Sequence, residues 1–277
     1  MIINKRYLTK EIILFLIVGI IALISLFPFY WMVISSFRTN PEIFSTKLNL
    51  LPRSFVFQNY INLFQNTNFS RWIFNSILVS VSTTFLGLFF STFAGYAFAK
   101  YNFFAKNVLC LLVFLMMSVP RFVTIIPIFK LMSSIGLTNN YLAVILPFAI
   151  NPFAVFLMRQ YIKNIPDDIL DSARIDGCNE LQIVIRIVMP VIKPSLGAAG
   201  IFILIMSWND YLFPLILLTS ENMQLFPVGL ASLKTLYVVE YGMIMAGSFL
   251  STLPLIIAFL LLQKQFIAGL TEGAVKG

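Results

Sequence analysis

Long apolar runs separated by short polar stretches dominate the chain. A helix crosses the hydrocarbon core of a bilayer with about 20 mostly apolar residues, and six runs reach that length. They predict six transmembrane helices, at Ile12–Ser35, Trp72–Phe98, Val108–Phe129, Tyr141–Tyr161, Leu196–Leu218 and Tyr241–Phe266. The pattern therefore predicts an all-α integral membrane protein. Its transmembrane domain would span residues 12–266, between an N-terminal segment 1–11 and a C-terminal tail 267–277.

The composition excludes most soluble classes of protein. The chain is 59% apolar and 11% charged, whereas soluble domains carry about 25% charged residues. It contains no His, so it offers no His-based metal site and no Ser-His-Asp triad. We therefore expect no catalytic residue and no metal site. The two cysteines, Cys110 and Cys178, are expected to be free thiols.

The distribution of Lys and Arg predicts the orientation of the spans. If the N-terminus is cytoplasmic, twelve of these residues lie inside, six lie outside, and Arg121 falls within a span. Cytoplasmic loops carry an excess of positive charge, so both termini are expected in the cytoplasm. This bias also accounts for the net charge of +8, so nucleic acid is not an expected partner.

The loop Asn164–Pro194, between the fourth and fifth predicted spans, is expected to begin with a helix. It holds five of the eleven acidic residues. Pro166 suits the start of a helix, where Asp167 and Asp168 would meet the positive N-terminal end. Three neighbouring apolar residues would give this helix a short apolar stripe: Ile169, Leu170 and Ala173.

A tight turn and a second helix are expected to follow. Gly177 suits the left-handed conformation that ends many helices. Asn179 can cap the next helix, with Gln182 completing a capping box. Pro190 and Pro194 would bend or stop that helix before the fifth span. The sequence thus predicts a helix–turn–helix at the cytoplasmic face, which on composition alone would be an ordinary amphipathic loop.

The spacing within this loop resembles the E-A-A-x3-G-x9-I-x-L-P motif of the membrane subunits (permeases) of binding-protein-dependent ABC importers. Four residues match the motif: Ala173, Gly177, Ile187 and Pro190. Three replace its residues conservatively: Asp171 for Glu, Ser172 for the first Ala and Met189 for Leu. The resemblance assigns these seven residues and the adjacent Asp176 to a coupling helix and its arm, which contact a cytoplasmic ATPase subunit.

Other segments narrow the resemblance to the smaller permease of the maltose-type oligosaccharide importers. These segments are Phe27–Trp31, Asn75-Ser76, Tyr96–Phe98, Trp208–Asp210 and the tail Gly269–Gly277. The resemblance implies a type I ABC importer permease fold, with the coupling helix between helices 4 and 5. It also implies a bacterial cytoplasmic membrane location. In the tail it implies ATPase contacts at Glu272 and Gly273, for which a frayed end is the alternative.

The same resemblance implies the partners and the function. The partners would be a second homologous permease, two cytoplasmic ATPase subunits, an extracellular or periplasmic solute-binding protein and membrane lipid. ATP and Mg would bind the ATPase subunits, and this chain would hold no cofactor and would not be an enzyme. The cargo would be an oligosaccharide or related sugar. A phosphorylated polyol such as glycerol 3-phosphate is the alternative cargo, and an ATP-independent carrier or channel is the alternative class.

Two charges within the predicted spans are candidates for the translocation path. Arg121 and Asp210 lie at a similar distance along their predicted helices, about 20 Å from the start at 1.5 Å per residue. Charges at that depth are costly. They would form a structural ion pair or snorkel separately, or Asp210 and its neighbour Asn209 would line the path and bind sugar hydroxyls.

Overall fold

The computed structural model describes residues 5–47, 49–234 and 239–271, and the described chain is helical. The α-helices are α1 Lys5–Ser36, α2 Asn40–Ile43, α3 Gln58–Gln65, α4 Phe69–Lys100, α5 Lys106–Met116, α6 Ile125–Ser134, α7 Leu142–Ile145, α8 Pro152–Ile162, α9 Asp167–Ile175, α10 Glu180–Ile183, α11 Met189–Val191, α12 Lys193–Trp208, α13 Leu212–Leu217, α14 Phe226–Ser232 and α15 Tyr241–Thr271. Short 3₁₀ turns occupy Arg121–Thr124, Leu146–Phe148 and Glu221–Met223, and a π-helical stretch, Val184–Val188, joins α10 to α11.

Within the described residues, four segments are long and apolar enough to cross a membrane. They are Glu11–Ser36, Phe69–Lys100, Leu142–Ile162 and Tyr241–Gln265. Two bent pairs bring the number to six if each pair forms one span. The first pair joins Lys106–Met116 to Arg121–Ser134 at 105°, and the second joins Glu180–Val191 to Lys193–Trp208 at 88°.

The predicted span at Val108–Phe129 is therefore not one continuous helix. Helix α5 ends at Met116, and the chain bends before the 3₁₀ turn that opens at Arg121. Pro120 lies in the bend with an extended backbone (φ −62°, ψ 127°). A proline cannot donate the helical hydrogen bond and disfavours a helical conformation in the residue before it, which accounts for the break.

The predicted helix at Leu196–Leu218 is also interrupted. Helix α12 ends at Trp208 and α13 begins at Leu212. Pro214 has no N–H to donate to the carbonyl of Asp210, four residues earlier, so the helix lacks one backbone hydrogen bond at this break. Asp210 therefore lies in a gap between two helices rather than on a continuous span.

The chain forms two compact units: residues 1–69 with 232–253, and residues 70–231 with 254–277. In the first unit the segment after α1 is held by buried polar groups. Arg38 is 1% exposed, with its guanidinium 4.9 Å from the Trp31 ring centre and its Nε 3.7 Å from an oxygen of Glu42. The Asn59 side chain donates to the carbonyls of Ser36 (2.8 Å) and Arg38 (2.9 Å). These contacts order the segment between α1 and α3.

The second unit contains α4 to α13 and two apolar cores. One core packs α9 and α10 against α8, α12 and the end of α4 through fully buried side chains that include Met158, Leu170, Ile183 and Ile203. Helices α4 and α8 approach closely at Gly95. A Cβ there would lie 2.7 Å from the Cβ of Met158 and 2.8 Å from the Arg159 nitrogen, so only glycine allows this approach. The close contact fixes the end of α4 beside the 164–194 loop.

Candidate functional site

The first loop helix forms as the sequence predicts. Helix α9 begins at Asp167, directly after Pro166, and ends at Ile175. Its apolar residues divide into two sets: Leu170 (1% exposed) and Ala173 are buried in the core of this unit, whereas Ile169 and Ile175 face outwards. Because Ile175 is 86% exposed, an apolar surface is available for a partner on the side of α9 that the chain does not cover.

The turn and the second helix also match the prediction. Gly177 has φ +85°, in the left-handed region. The Asn179 side chain accepts from the backbone N–H of Gln182 (2.9 Å), and the Gln182 side chain accepts from the backbone N–H of Asn179 (3.0 Å). These are the two bonds of a capping box. The predicted bend before the fifth span is the 88° angle between α11 and α12 at Ile192.

Arg174 is the centre of an ionic network in this loop. Its Nη1 lies 2.6 Å from Asp171 Oδ1 and its Nε 2.9 Å from Glu180 Oε1, so it joins α9 to α10. The hydrogen bond from Arg174 lowers the pKa of the Glu180 carboxyl to about 2, and the bond to Glu180 raises the pKa of Arg174 above its usual value. Both residues lie outside the predicted span at 196–218. The Arg174–Glu180 pair therefore stays charged at neutral pH.

The motif residues fall into two groups. Asp171, Ser172, Asp176 and Gly177 are exposed at or after α9, as is Pro190 on α11. Ala173 is buried, and Ile187 and Met189 pack against the same core. The second group holds the loop together rather than facing outwards. Sequence reasoning missed Ile175, since only the packing of Leu170 and Ala173 shows which side of α9 stays uncovered.

Arg121 and Asp210 form an ion pair. Arg121 Nη2 lies 3.0 Å from Asp210 Oδ2, and the guanidinium lies 4.2 Å from the ring centre of Phe148. Two breaks bring the charges together, the one before Arg121 and the one between α12 and α13. The sequence left open whether the two charges pair, and the structure shows that they do. Their depth was predicted from continuous helices, and both of those helices are interrupted.

The pair lines a cavity of about 460 Å³. Polar and aromatic residues on its wall include Thr83, Phe148, Asn151 and Ser207. Thr83 is 2% exposed, and its hydroxyl has no hydrogen-bond partner among the described residues. An unpaired buried hydroxyl costs free energy, so Thr83 is suited to bind a polar group inside the cavity. The cavity is thus lined by one ion pair, aromatic surface and several uncharged polar groups.

The other candidate residues have different positions. Asn209 does not line this cavity, and its side chain donates to the carbonyl of Ile205 on its own helix (2.9 Å). Cys110 and Cys178 are free thiols, as predicted. Glu272 and Gly273 lie outside the described residues. Within the described part of the chain, no group of three or more His, Cys, Asp or Glu could hold a metal ion.

Residues 87–271 match the family described as binding-protein-dependent transport system inner membrane component. This range includes the loop, the ion pair and the cavity wall after Gly87. The chain belongs to this family. It is a multi-pass membrane permease of an ABC importer, a transport component and not an enzyme. Transport of this class depends on a solute-binding protein and on an ATPase, so both are partners of this permease.

Relatives extend the similarity over nearly the whole chain. The arabinooligosaccharide transport system permease protein AraQ of Bacillus subtilis is 43% identical over 99% of both chains. The lactose transport system permease protein LacG of Rhizobium radiobacter is 33% identical over 96% of both chains. A chain in the crystal structure of a bacterial ABC transporter that imports the acidic polysaccharide alginate is 25% identical, with a TM-score of 0.83 over 96% of this permease and 99% of that chain. The predicted family and all-helical membrane fold are confirmed.

Proposed function

We propose that this permease carries an oligosaccharide or a related uncharged sugar into the cell. The observation that carries the proposal is its near full-length similarity to the arabinooligosaccharide permease, at 43% identity. The lactose permease, a second relative named for a sugar, is in keeping with it. The path would run through the cavity lined by Arg121 and Asp210.

The charge of the cavity favours an uncharged cargo. Among its lining residues Arg121 is the only Lys or Arg, and Asp210 already neutralises it. A phosphorylated polyol entering the cavity would find no unpaired cation to replace its lost hydration, which costs free energy. A sugar needs only hydroxyl partners and a flat apolar face, and Thr83, Asn151 and Phe148 offer these. We therefore favour a neutral sugar over glycerol 3-phosphate.

Coupling to the ATPase would occur at the exposed side of α9, which we name the docking face. It consists of Asp171, Ser172, Ile175 and Asp176. Ile175 is the apolar anchor, and the carboxylates surround it with charge. This division of roles resembles the usual interface pattern of an apolar centre and a polar rim. Ala173, Ile187 and Met189 then act indirectly, since they pack the loop against its own core.

The assembly would contain a second homologous permease, two ATPase subunits that bind ATP and Mg, and an extracellular or periplasmic binding protein. Both termini would lie in the cytoplasm of a bacterial cell, flanking the transmembrane domain 12–266. The tail residues Glu272 and Gly273 would contact the ATPase. Support for this arrangement comes from the positive charge of the predicted inner loops and from the family to which the chain belongs.

Uptake by the complete transporter in proteoliposomes tests the proposal. With ATP inside and the sugar-loaded binding protein outside, we expect uptake of labelled neutral oligosaccharides. Glycerol 3-phosphate, presented with the same binding protein, should neither be taken up nor compete. A proton gradient without ATP serves as the control and should drive no uptake. Uptake of glycerol 3-phosphate in preference to every neutral sugar would contradict the proposal.

A further inference from the structure

We propose that Tyr96 and Lys100, at the end of α4, are positioning residues that transmit movement of the 164–194 loop to the wall of the cavity. The inference rests on the proposed coupling role of that loop. It adds a further mechanical route to the two that the chain itself provides, which run back into α8 and forward through α10 and α11 into α12. Tyr96 belongs to the Tyr96–Phe98 segment, to which the proposed function gives no role.

Tyr96 connects α4 to both loop helices. Its hydroxyl donates to Glu180 Oε2 on α10 (2.7 Å) and accepts from Arg174 Nη2 on α9 (3.3 Å). The tyrosine is 3% exposed and belongs to the apolar core beneath the loop. A buried phenol between two charged partners has little freedom to exchange them for water. Displacement of α9 relative to α10 would therefore pull on α4.

Lys100 fixes α4 to the start of α9. Its ammonium lies 2.7 Å from Asp167 Oδ1 and also donates to the backbone carbonyl of Ile165. The lysine side chain is 7% exposed, whereas that of Asp167 is 75% exposed. The ion pair thus bridges a covered helix end and an outward-facing loop helix. Together Tyr96 and Lys100 bind α4 at both ends of the coupling helix, since Arg174 lies in its last turn and Asp167 is its first residue.

Helix α4 runs without interruption from these contacts to the cavity. It spans Phe69–Lys100, and Thr83, on the cavity wall, lies thirteen residues before Tyr96, which is about 20 Å along a helix. Between them, a Cβ at Gly87 would meet the Ile203 side chain at 3.1 Å and the Phe148 carbonyl at 3.8 Å. Both of these neighbours also line the cavity. A shift or tilt of α4 at the loop would therefore reach the cavity lining.

The forward route through the chain, from the loop into α12, is less rigid than α4. After α10 it passes the π-helical stretch Val184–Val188 and then the 88° bend at Ile192 before it enters α12. Each feature is a place where backbone angles can absorb movement. Helix α4 has no such interruption and is held at Gly95 by its close contact with α8. Helix α4 is therefore stiffer than this forward connection.

The test compares sugar uptake per ATP hydrolysed by the complete transporter in proteoliposomes. Tyr96→Phe and Lys100→Met should assemble and keep the basal ATPase rate, while the uptake per ATP falls by about fivefold or more. Tyr96→Phe should add little to Glu180→Ala, because both remove the hydrogen bond between Tyr96 and Glu180. Lys163→Met, an exposed lysine at the end of α8, is the matched control and should behave as wild type.

Two further variants separate this inference from a folding defect. Lys100→Arg keeps the charge and should restore most of the coupling. Asp167→Asn removes the same ion pair from the exposed side, so it decides the case if Lys100→Met fails to assemble. Unchanged uptake per ATP in Tyr96→Phe and Asp167→Asn would overturn the α4 route. The coupling role of the loop is tested separately by Gly177→Val. Unchanged transport in that variant would contradict the coupling role.

Discussion

The 164–194 loop and the cavity lie in the same compact unit yet are built in opposite ways. In the loop, Leu170 and Ile183 are fully buried, the capping box of α10 is complete, and Arg174 bonds two carboxylates. Around the cavity two of the helical segments are broken, one ion pair carries the charge, and the Thr83 hydroxyl has no partner among the described residues. A segment that transmits movement needs its polar groups hydrogen-bonded within the protein. A cavity that binds a ligand in transit instead keeps polar groups available for that ligand.

The largest effect is expected at the turn of the loop. Gly177→Val forces a β-branched residue into the left-handed region, which costs at least about 1–2 kcal/mol, so the turn should rearrange. We expect sugar uptake to fall by about 30-fold, with normal amounts of the permease in the membrane. Binding-protein-stimulated ATP hydrolysis should fall with it.

Gly177→Asn is the matched control for this turn. Asparagine tolerates the left-handed conformation, and a Cβ at this position meets no other atom within 4 Å. Near-normal uptake is therefore expected. If valine and asparagine behaved alike, the backbone geometry of Gly177 would not matter for coupling.

Breaking the ion pair of the cavity should have the next largest effect. Asp210→Asn leaves Arg121 without its partner, and the loss is moderated because the arginine side chain is 43% exposed. About a tenfold decrease in the uptake rate is expected. If the ion pair is purely structural, adding Arg121→Gln to Asp210→Asn should restore both the stability and the uptake rate. A role in the path predicts that the double variant regains stability, measured by thermal unfolding, but not the wild-type KM.

A smaller effect is expected on the docking face. Ile175→Ser removes an exposed apolar side chain that the fold does not need, so the permease should fold normally and bind the ATPase about fivefold more weakly. Titration of purified ATPase onto the detergent-solubilised permeases measures the affinity. Leu181→Ser, an exposed apolar residue on α10, is the control. Equal losses for the two variants would argue against a specific face on α9.

The smallest effect is expected at Thr83. Valine is close to threonine in shape, and the threonine hydroxyl has no partner to lose among residues 5–47, 49–234 and 239–271, so the free energy of unfolding should change little. If the hydroxyl binds sugar, Thr83→Val should raise the KM for uptake about two- to threefold and leave kcat unchanged. Ser207→Ala provides a comparison on the same cavity wall. An unaltered KM in Thr83→Val would remove Thr83 from the path.

The same contrast separates what could be predicted from sequence and what could not. The loop depends on local signals, because a proline start, a left-handed glycine and a capping box each act within a few residues. The cavity depends on breaks at Pro120 and at residues 209–211, which lie inside runs apolar enough to be interpreted as straight spans. Periodicity also could not show that Leu170 faces inwards and Ile175 outwards, because burial is decided by helices distant in sequence.

Photo-crosslinking from position 175 tests the central claim, that the exposed side of α9 docks the ATPase. A photoreactive residue replaces Ile175 in the assembled transporter, and the same residue replaces Leu112, an exposed position on the apolar helix α5, as the control. We expect a covalent adduct with the ATPase subunit from position 175 and none from position 112. A transport-competent complex in which position 175 yields no ATPase adduct would contradict it.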